Sequence, residues 1–333
     1  MRYLIVDTAN TFFRARHSAH KQSDSWDKLG FSIHLTLSSV AKCWRDQKAD
    51  HVIFCLEGHS WRKDYYEPYK KNRAVARAAL TEEEKEEDKL FWETFDTLKT
   101  FISEKTNCTV LQHPNLEADD LVAGWIQSHP EDHHTIVSSD TDFVQLIAEN
   151  VNQYNGITDE LITTQGIFEK KGAPVKDKKT KENKTIPNPK FLLFEKCVRG
   201  DSSDNIFSAF PGARKKGTKN KVGLIEAFED KERQGYNWNN FMLQRWVDHN
   251  GVEHRVLDDY IRNVQLVDLT AQPEHIKEFI RETIETNSKP ISRPMIGAQF
   301  LKFCGKYELV RMSEQANSFI HFLEASYPEK GDK

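Results

Sequence analysis

The sequence predicts an α/β fold with a mostly parallel central sheet flanked by helices and, after it, a helical C-terminal region. Two patterns indicate this class. In the first half of the chain, short apolar runs typical of buried parallel strands alternate with longer amphipathic segments. Beyond a polar, lysine-rich stretch at 170–189, which we interpret as a mobile loop or linker, helical patterns continue. We therefore expect an α/β domain at 1–185 and a helical domain at 186–333.

The predicted elements follow the chain in order. Strands are expected at Tyr3–Val6, His51–Leu56, Thr109–Gln112, 135–139, 151–154 and 160–163. In the first half, helices are expected at Phe31–Gln47, from the acidic run at 82–88 to Lys105, after Glu117 and through Phe143–Ile147. In the second half, they are expected at Phe191–Arg199, Val222–Asp230, Trp238–Asp248, 254–266, Pro273–Thr286 and within Met295–Ala325. Strands separated by helices in this way favour parallel pairing.

Length and composition exclude several classes of protein. The 333 residues suffice for a sizeable core, and 38% hydrophobic with 29% charged residues indicate a soluble globular protein. The N-terminus shows no signal-peptide pattern, and no window approaches the roughly 20 apolar residues that a bilayer span needs. Five scattered cysteines without a C-x-x-C motif indicate free thiols. We expect a cytoplasmic monomer without a membrane partner.

Acidic residues follow the predicted strands. Asp7, Glu57, Asp140 and Asp142 stand at strand ends, and Glu117, Asp119 and Asp120 open the helix after the third strand. Sites in parallel sheets form at the carboxyl ends of strands, so these acids are expected on one rim. Gathered carboxylates repel one another, and a divalent ion with hard oxygen ligands, Mg²⁺ or Mn²⁺, would relieve this. Singly, Asp140 and Asp142 could be surface acids, and 117–120 could be a helix N-cap.

Basic segments alternate with the acidic ones. Trp61–Arg73 and Pro211–Lys219 combine cations with aromatic or glycine residues, which suit phosphates and stacked bases. Asp201 and Asp204 lie close enough to meet one ion, although an Asx-turn is the plainer interpretation. Charge runs are often only solvated faces. Together, however, metal-holding acids and phosphate-holding cations indicate phosphoryl chemistry, in which two ions roughly 3.5–4 Å apart act on a phosphodiester.

The ordered motifs resemble the 5′-nucleases, the flap endonuclease and 5′→3′ exonuclease superfamily, and most of all its stand-alone phage branch of the T-even-phage ribonuclease H type. The resemblance rests on Tyr3–Asp7, Val52–Glu57 with the basic residues after it, Glu117–Asp120, Ser139–Asp142 and Gly200–Asn205. It implies a PIN-like or resolvase-like core, an arch at about 62–105 and a helix–three-turn–helix in the second half. It also implies the cytoplasm of a bacterium or of a phage-infected host.

The resemblance also implies roles for individual residues. Asp7, Glu57, Glu117, Asp119 and Asp120 would surround a first Mg²⁺, and Asp140, Asp142, Asp201 and Asp204 would serve a second, partly through water. Lys70 and Arg73 would reach the scissile phosphate as catalytic residues. The implied DNA contacts are Arg14, Arg62, Lys63, Tyr69, Gly212, Arg214, Lys215, Lys216, Gly217 and Lys219. K⁺ would bind at the helix–three-turn–helix.

Such enzymes remove RNA primers and 5′ flaps in replication, so the expected partners are DNA and RNA–DNA duplexes with 5′ ends or flaps. A single-strand binding protein or sliding clamp would be a protein partner. Two departures from the family pattern stand out. Glu57 replaces the usual Asp, and the glycines at 212 and 217 are spaced more widely than in G-x-G-x-K. The alternatives are a PIN-type ribonuclease for single-stranded RNA and a branched-DNA binding protein without catalysis.

Overall fold

A computed structural model describes residues 1–18, 25–169 and 172–328, without the side chains of 16–18 and 25–28. Lys170 and Lys171, which belong to the predicted lysine-rich linker, lie outside the described residues. The chain forms two compact units. Unit 1 comprises 1–59, 80–186 and 275–333, and unit 2 comprises 60–79 and 187–274. None of the described helices is both long and apolar enough to cross a membrane.

Unit 1 is built on a seven-stranded sheet. Its strands are β1 Arg2–Asp7, β2 His51–Cys55, β3 Thr109–Leu111, β4 His133–Val137, β5 Val151–Asn155, β6 Glu160–Thr163 and β7 Gly166–Glu169. They lie in the order β3-β2-β1-β4-β5-β6-β7. The first five are parallel, whereas β6 and β7 pair antiparallel at one edge. The predicted mostly parallel sheet is confirmed, and every predicted strand is present.

The helices are numbered along the whole chain. They are α1 Thr8–Ser18, α2 Ser25–Gln47, α3 Arg62–Tyr65, α4 Lys71–Ala78, α5 Glu82–Lys105, α6 Ala118–Ser128, α7 Pro189–Arg199, α8 Leu224–Glu229, α9 Tyr236–Met242, α10 Val256–Val267, α11 Glu274–Asn287, α12 Ile296–Lys306, α13 Val310–Glu314 and α14 Asn317–Glu324. A 3-10 helix follows β4 at Thr141–Leu146. Thr81 caps the longest of them, α5, by accepting a hydrogen bond from the Glu84 amide.

The C-terminal helices complete the core of unit 1. Phe300 on α12 and Phe322 on α14 are fully buried in one cluster with Leu4 of β1 and Val52 of β2. The predicted junction near 185 lies beside the end of a unit 1 segment at 186, but helices α12 and α14 pack on the sheet instead of joining the helical half. A sheet buried on both faces needs helices on both, and these helices supply that cover. Independent folding of 1–185 and 186–333 stays a prediction.

Unit 2 is mostly helical and contains a hairpin that sequence patterns did not predict. Its core gathers Phe194, Trp238, Phe241 and Tyr260. The helix predicted over Trp238–Asp248 is wrong beyond α9, because strand β8 Arg245–Val247 pairs there with β9 Glu253–Arg255. The Trp246 ring stacks on His254, and its Nε1 donates to the carbonyl of Ala209 at 2.8 Å. These contacts of Trp246 stabilise the extended backbone of β8.

Candidate functional site

The first acid of the site is Asp7, the last residue of β1. It is only 3% exposed. The hydroxyl of Ser138 donates to its Oδ2 at 2.8 Å, and the amide of Asn10 donates to Oδ1 at 3.3 Å. Because Ser138 directly follows β4, the first bond fastens two neighbouring strands at the point where the strand order reverses direction. That crevice is where open parallel sheets bind ligands.

Glu57 and the start of α6 meet at the end of β2. The exposed Glu57 accepts a hydrogen bond from the Ala118 amide at its Oε2, at 3.2 Å. The Gly58 amide donates to the carbonyl of Leu116 at 2.8 Å. These two bonds hold the segment after β2 against the residues that begin α6. The side chains predicted to act together are therefore brought together by backbone contacts.

The acids that open α6 differ in exposure. Asp120 is fully buried, and its Oδ2 accepts a hydrogen bond from the Glu117 amide at 3.2 Å. Asp120 thus caps the helix, which is the plainer of the two interpretations of this motif. Glu117 is also buried, whereas Asp119 is half-exposed. Asp119 is therefore the most accessible carboxylate of this group.

A buried thiol lies close to three of the acids. Burial raises the pKa of Cys55, the last residue of β2, and the charges of Asp7, Asp119 and Glu57 raise it further. The strand register sets Asp7 beside Cys55, and the Ala118 amide donates to Glu57, so the chain segments that carry the three acids meet at the ends of β1 and β2. Their negative charges also keep the thiol protonated, which excludes Cys55 as a nucleophile at neutral pH.

Asp140 and Asp142 stand where β4 gives way to the 3-10 helix at 141–146. The Ser138 hydroxyl accepts a hydrogen bond from the Asp140 amide at 3.0 Å, and the Oδ1 of Asp140 accepts one from the Asp142 amide at 2.9 Å. Gln153 on β5 donates to the carbonyl of Asp140 at 2.6 Å. The strand predicted at 135–139 ends earlier, at Val137, and the pair stands at the start of the 3-10 helix instead. Asp140 is a helix cap, and both acids are half-exposed.

The donor set of unit 1 fits a hard divalent cation. Carboxylates of Asp7, Glu57 and Asp119 crowd one end of the sheet, and oxygen is the ligand that Mg²⁺ and Mn²⁺ prefer. Hydrogen bonds from Ser138, Asn10 and Ala118 orient the carboxylates of Asp7 and Glu57 without neutralising them. Each carboxylate oxygen that accepts one such bond keeps a further lone pair. A bound cation would relieve the remaining repulsion.

In unit 2, the two predicted acids are held by cations and hydroxyls. Lys196 pairs with Asp201 at 2.7 Å, and the Ser203 hydroxyl and amide donate to the same carboxylate. Although burial raises the pKa of Asp201, the hydrogen bonds from Lys196 and Ser203 lower it to about 2. Asp201 is therefore ionised at any physiological pH. The Asx-turn considered for this segment is present.

Asp204 gathers Lys70 and Arg73, which were predicted to reach the scissile phosphate, and Tyr69, which was predicted to contact DNA. Its carboxylate pairs with Arg73 at 2.5 Å and with Lys70 at 3.9 Å, and it accepts a hydrogen bond from the Tyr69 hydroxyl at 3.3 Å. Arg73 remains exposed, so it can turn towards an external phosphate. The ring of Tyr69 is 4% exposed and lies in the core of unit 2. The prediction that this ring stacks on a base is therefore wrong.

Arg62 is the second predicted DNA contact that the structure places elsewhere. Its side chain is 1% exposed, its Nε donates to the Leu266 carbonyl at 2.9 Å, and its guanidinium lies over the Trp61 ring. A buried arginine bonded to a backbone carbonyl stabilises the fold and does not reach a polyanion. Arg14 and Lys63, in contrast, are exposed as predicted for phosphate contacts.

The turn at 212–219 is organised by a residue that the motif analysis missed. The carboxylate of Glu226 on α8 accepts hydrogen bonds from the Gly217 amide at 2.9 Å and from the Gly223 amide at 3.0 Å. The Gly217 amide is thus occupied, and the prediction that it binds phosphate is corrected. The other predicted contacts of this turn are exposed: Gly212, Arg214, Lys215, Lys216 and Lys219. The position of Glu226, three residues after the N-cap Gly223, matches the glutamate half of a capping box, and this spacing was the available signal.

Comparison with known proteins identifies the family. Residues 2–172 match the family model described as the 5'-3' exonuclease N-terminal resolvase-like domain. The chain belongs to the 5′–3′ exonuclease family. Within it, 238 residues, 68% of the chain, are 26% identical to DNA polymerase I of Rhizobium leguminosarum but span only 20% of that polymerase. A 5'-3' exonuclease of Buchnera aphidicola is 26% identical over 198 residues, which are 59% of each chain.

A phage relative is similar in sequence, and a phage structure is similar in fold. The flap endonuclease of Escherichia phage T5 is 26% identical over 229 residues, 68% of this chain and 69% of its own length. The zinc-bound T5 5'-exonuclease superposes with a TM-score of 0.57 over 86% of this chain and 99% of that chain. At 19% identity, this likeness shows a shared fold. The narrower likeness to T-even-phage ribonuclease H stays a prediction.

Proposed function

We propose that this exonuclease-family chain is a metal-dependent 5′-nuclease that hydrolyses phosphodiester bonds at the 5′ ends and flaps of DNA and of RNA–DNA duplexes. The observation that carries the proposal is that the segments bearing Asp7, Glu57 and Asp119 meet at the ends of β1 and β2, inside the segment that matches the family model. Removal of RNA primers during replication would be the setting. The names of the Buchnera and T5 relatives support the same activity.

Residues of unit 1 would hold Mg²⁺, or Mn²⁺ in its place. Asp7, Glu57 and Asp119, with Glu117 and Asp120 behind them, are proposed for a first ion, and Asp140 and Asp142 for a second. When bound, two such ions activate water and stabilise the leaving 3′ oxygen. Ser138 and Asn10 orient the Asp7 carboxylate, and Gln153 fixes the backbone that carries Asp140. This network sets the carboxylates before any ligand arrives.

Residues of unit 2 are proposed to hold the nucleic acid and to contribute further acids. Asp201 and Asp204 are proposed as metal ligands, partly through water, and Lys70 and Arg73 as contacts of the scissile phosphate. Because Arg73 shares its charge with Asp204, substrate phosphate would have to compete with that carboxylate. K⁺ at the 212–219 turn, a sliding clamp and a single-strand binding protein stay predictions. So does the monomeric state.

The decisive experiment replaces Asp140 by Asn. The amide keeps the cap on the Asp142 amide but removes a charge, so the expected result is loss of Mg²⁺-dependent cleavage of a 5′-labelled flap, with DNA binding retained. The matched control is Asp96→Asn, the same change at an exposed position of α5. Full activity of Asp140→Asn would contradict the assignment.

The substrates separate the proposal from its alternatives. Flap, nicked and RNA–DNA substrates with labelled 5′ ends are incubated with and without Mg²⁺, and product lengths are measured. Cleavage that starts at the 5′ end or at the flap junction supports a 5′-nuclease. Cleavage of free single-stranded RNA alone would favour a PIN-type ribonuclease. Tight binding of the flap without any cleavage would favour a branched-DNA binding protein.

A further inference from the structure

The segment after β7 forms an ordered hairpin, which we call the lysine hairpin and define as residues 173–184. Backbone hydrogen bonds join Val175 to Ile167, Lys184 to Val175, and Asp177 to Glu182, all at 2.7–2.8 Å. Val175 is buried and anchors it to unit 1. The mobile loop predicted for this stretch is therefore wrong for these residues. The hairpin also begins directly after residue 172, where the match to the family model ends.

The lysine hairpin carries cations that the protein does not neutralise. Lys176, Lys178, Lys179 and Lys181 are all exposed, and within the described ranges 1–18, 25–169 and 172–328 no carboxylate forms an ion pair with them. The one acid in the turn, Asp177, accepts hydrogen bonds from the Thr180 and Lys179 amides, which lower its pKa. Its charge is fixed inside the turn, while the lysine side chains extend into solvent.

The topology of the sheet places the tip of the hairpin. Strand β5 runs towards the end of the sheet at which the acids lie, β6 runs back, and β7 returns towards the acids. The hairpin strand at 174–176 pairs antiparallel with β7 and so leads away from them again. The turn at 178–181 therefore lies towards the other end of the strands, away from the acids. The two ends of the strands are about 17 Å apart, and the hairpin also lies five strand spacings of about 4.8 Å from β1, so its tip is roughly 30 Å, or about nine base pairs of duplex, from the acids.

We propose that the lysine hairpin is a second nucleic-acid site, which binds the phosphate backbone of the duplex at a distance from the cleaved bond. Four cations spaced along one turn match the dense, regular charge of a duplex backbone, whose neutralisation releases counterions. The hairpin offers no aromatic face for stacking, which favours backbone contact without sequence preference. This proposal rests on the proposed function for the nature of the substrate but assigns a site outside the family match.

The test compares two triple variants of equal charge change. Lys178→Glu, Lys179→Glu and Lys181→Glu alter the hairpin tip, and Lys289→Glu, Lys302→Glu and Lys306→Glu alter exposed lysines elsewhere in unit 1. Fluorescence anisotropy measures Kd for flaps with duplex arms of about 5 and about 20 base pairs across a salt series. The hairpin variant is expected to bind the long arm about tenfold more weakly, with a salt slope lower by about 2.7 for three lost phosphate contacts.

The control variant and the short arm are expected to show no such loss. Equal Kd values for the hairpin and control variants on the long arm would overturn the hairpin site, whatever the enzyme cleaves. If the hairpin variant kept its affinity for DNA but lost its affinity for an acidic protein, the hairpin site would be overturned too. A matched Lys→Gln triple variant guards against repulsion by the new glutamates. If the unaltered chain binds the duplex through the hairpin but cleaves nothing, the proposed function fails and the site stands.

Discussion

At the scale of single residues, Gly58 joins the two chain segments that carry the acids. Its amide donates to the Leu116 carbonyl, and the next amide, of His59, donates to the Pro114 carbonyl at 2.6 Å. A Cβ built on Gly58 would lie 2.0 Å from the carbonyl oxygen of His113. Any side chain here would push the start of α6 away from the end of β2. The carboxylate of Glu57 would then lose its place beside Ala118.

Gly58→Ala is therefore expected to destabilise the protein and to impair cleavage more than it impairs DNA binding. Overpacking against backbone costs about 1–3 kcal/mol of unfolding free energy, measured by urea denaturation. The matched control is Gly305→Ala on α12, where an added Cβ meets nothing within 4 Å. That substitution is expected to be neutral or stabilising. Equal stability of both variants would contradict this account of Gly58.

Residue type alone predicted the acids better than the cations. Asp7 and Glu57 stand at strand ends in both sequence and structure, because the end of an apolar run marks the rim of a parallel sheet. Arg62 and Tyr69 belong to an equally suggestive basic and aromatic motif, yet both are buried. Nothing in a short polar motif shows which of its members the core of unit 2 will take. Burial is decided by distant residues such as Leu266.

At the scale of elements, the last helices stabilise a sheet that ends far earlier in the chain. Phe322 on α14 is fully buried in the cluster that also holds Val52 of β2 and Phe101 of α5. The Asn107 amide donates to the carbonyl of Leu323, and the Asn107 side chain donates to that of Glu324. The end of α14 is thus bound to the chain just before β3.

Phe322→Ala is expected to lower the unfolding free energy of unit 1 by about 3–5 kcal/mol, because it removes a fully buried ring and leaves a cavity. Val310→Ala on α13, a position 63% exposed, is the control and should change stability by less than about 0.5 kcal/mol. Thermal unfolding followed by far-UV circular dichroism measures both. A small effect of Phe322→Ala would mean that α14 is dispensable for the core.

The sequence predicted elements more securely than it predicted their partners. Strands β1 and β2 contain continuous apolar runs, Tyr3–Val6 and Val52–Cys55, which are typical of buried parallel strands. The amphipathic helices after residue 295 were recognised as helices, but an apolar stripe does not state which surface it covers. The hairpin of β8 and β9 was missed although Asn250 and Gly251 form a hairpin signal, and Gly251 adopts a φ of 82°.

At the scale of the molecule, acidic and basic titrating groups lie at different ends of the parallel strands. Carboxylates gather where β1 and β2 end, whereas buried histidines stand where β2 and β4 begin. His51 bonds through Nδ1 to the Ala325 carbonyl and through Nε2 to the Thr109 hydroxyl, an arrangement that suits a neutral ring. Burial lowers the pKa of His51 to about 4 and that of His134 also to about 4.

These histidines make the stability of unit 1 depend on pH well above the range of its carboxylates. Between the ordinary histidine pKa of 6.5 and about 4, the unfolded chain binds protons that the folded chain does not bind. The free energy of unfolding therefore falls as pH falls through this window. In unit 2, ionised Asp201 stabilises the fold above its ordinary pKa of 3.8, and this stabilisation is lost as pH falls from 3.8 to about 2. The two contributions therefore separate on the pH axis.

Unfolding free energy measured between pH 7 and pH 4 should therefore decrease, with a slope approaching about 1.4 kcal/mol per pH unit for each histidine. His51→Gln removes one titrating group, and its slope should be shallower than that of the unaltered chain by up to about 1.4 kcal/mol per pH unit. The matched control is His133→Gln, the same change at an exposed position of β4, which should keep the full slope. A flat profile in the unaltered chain, or equal slopes in both variants, would show that the buried rings accept protons without loss of structure.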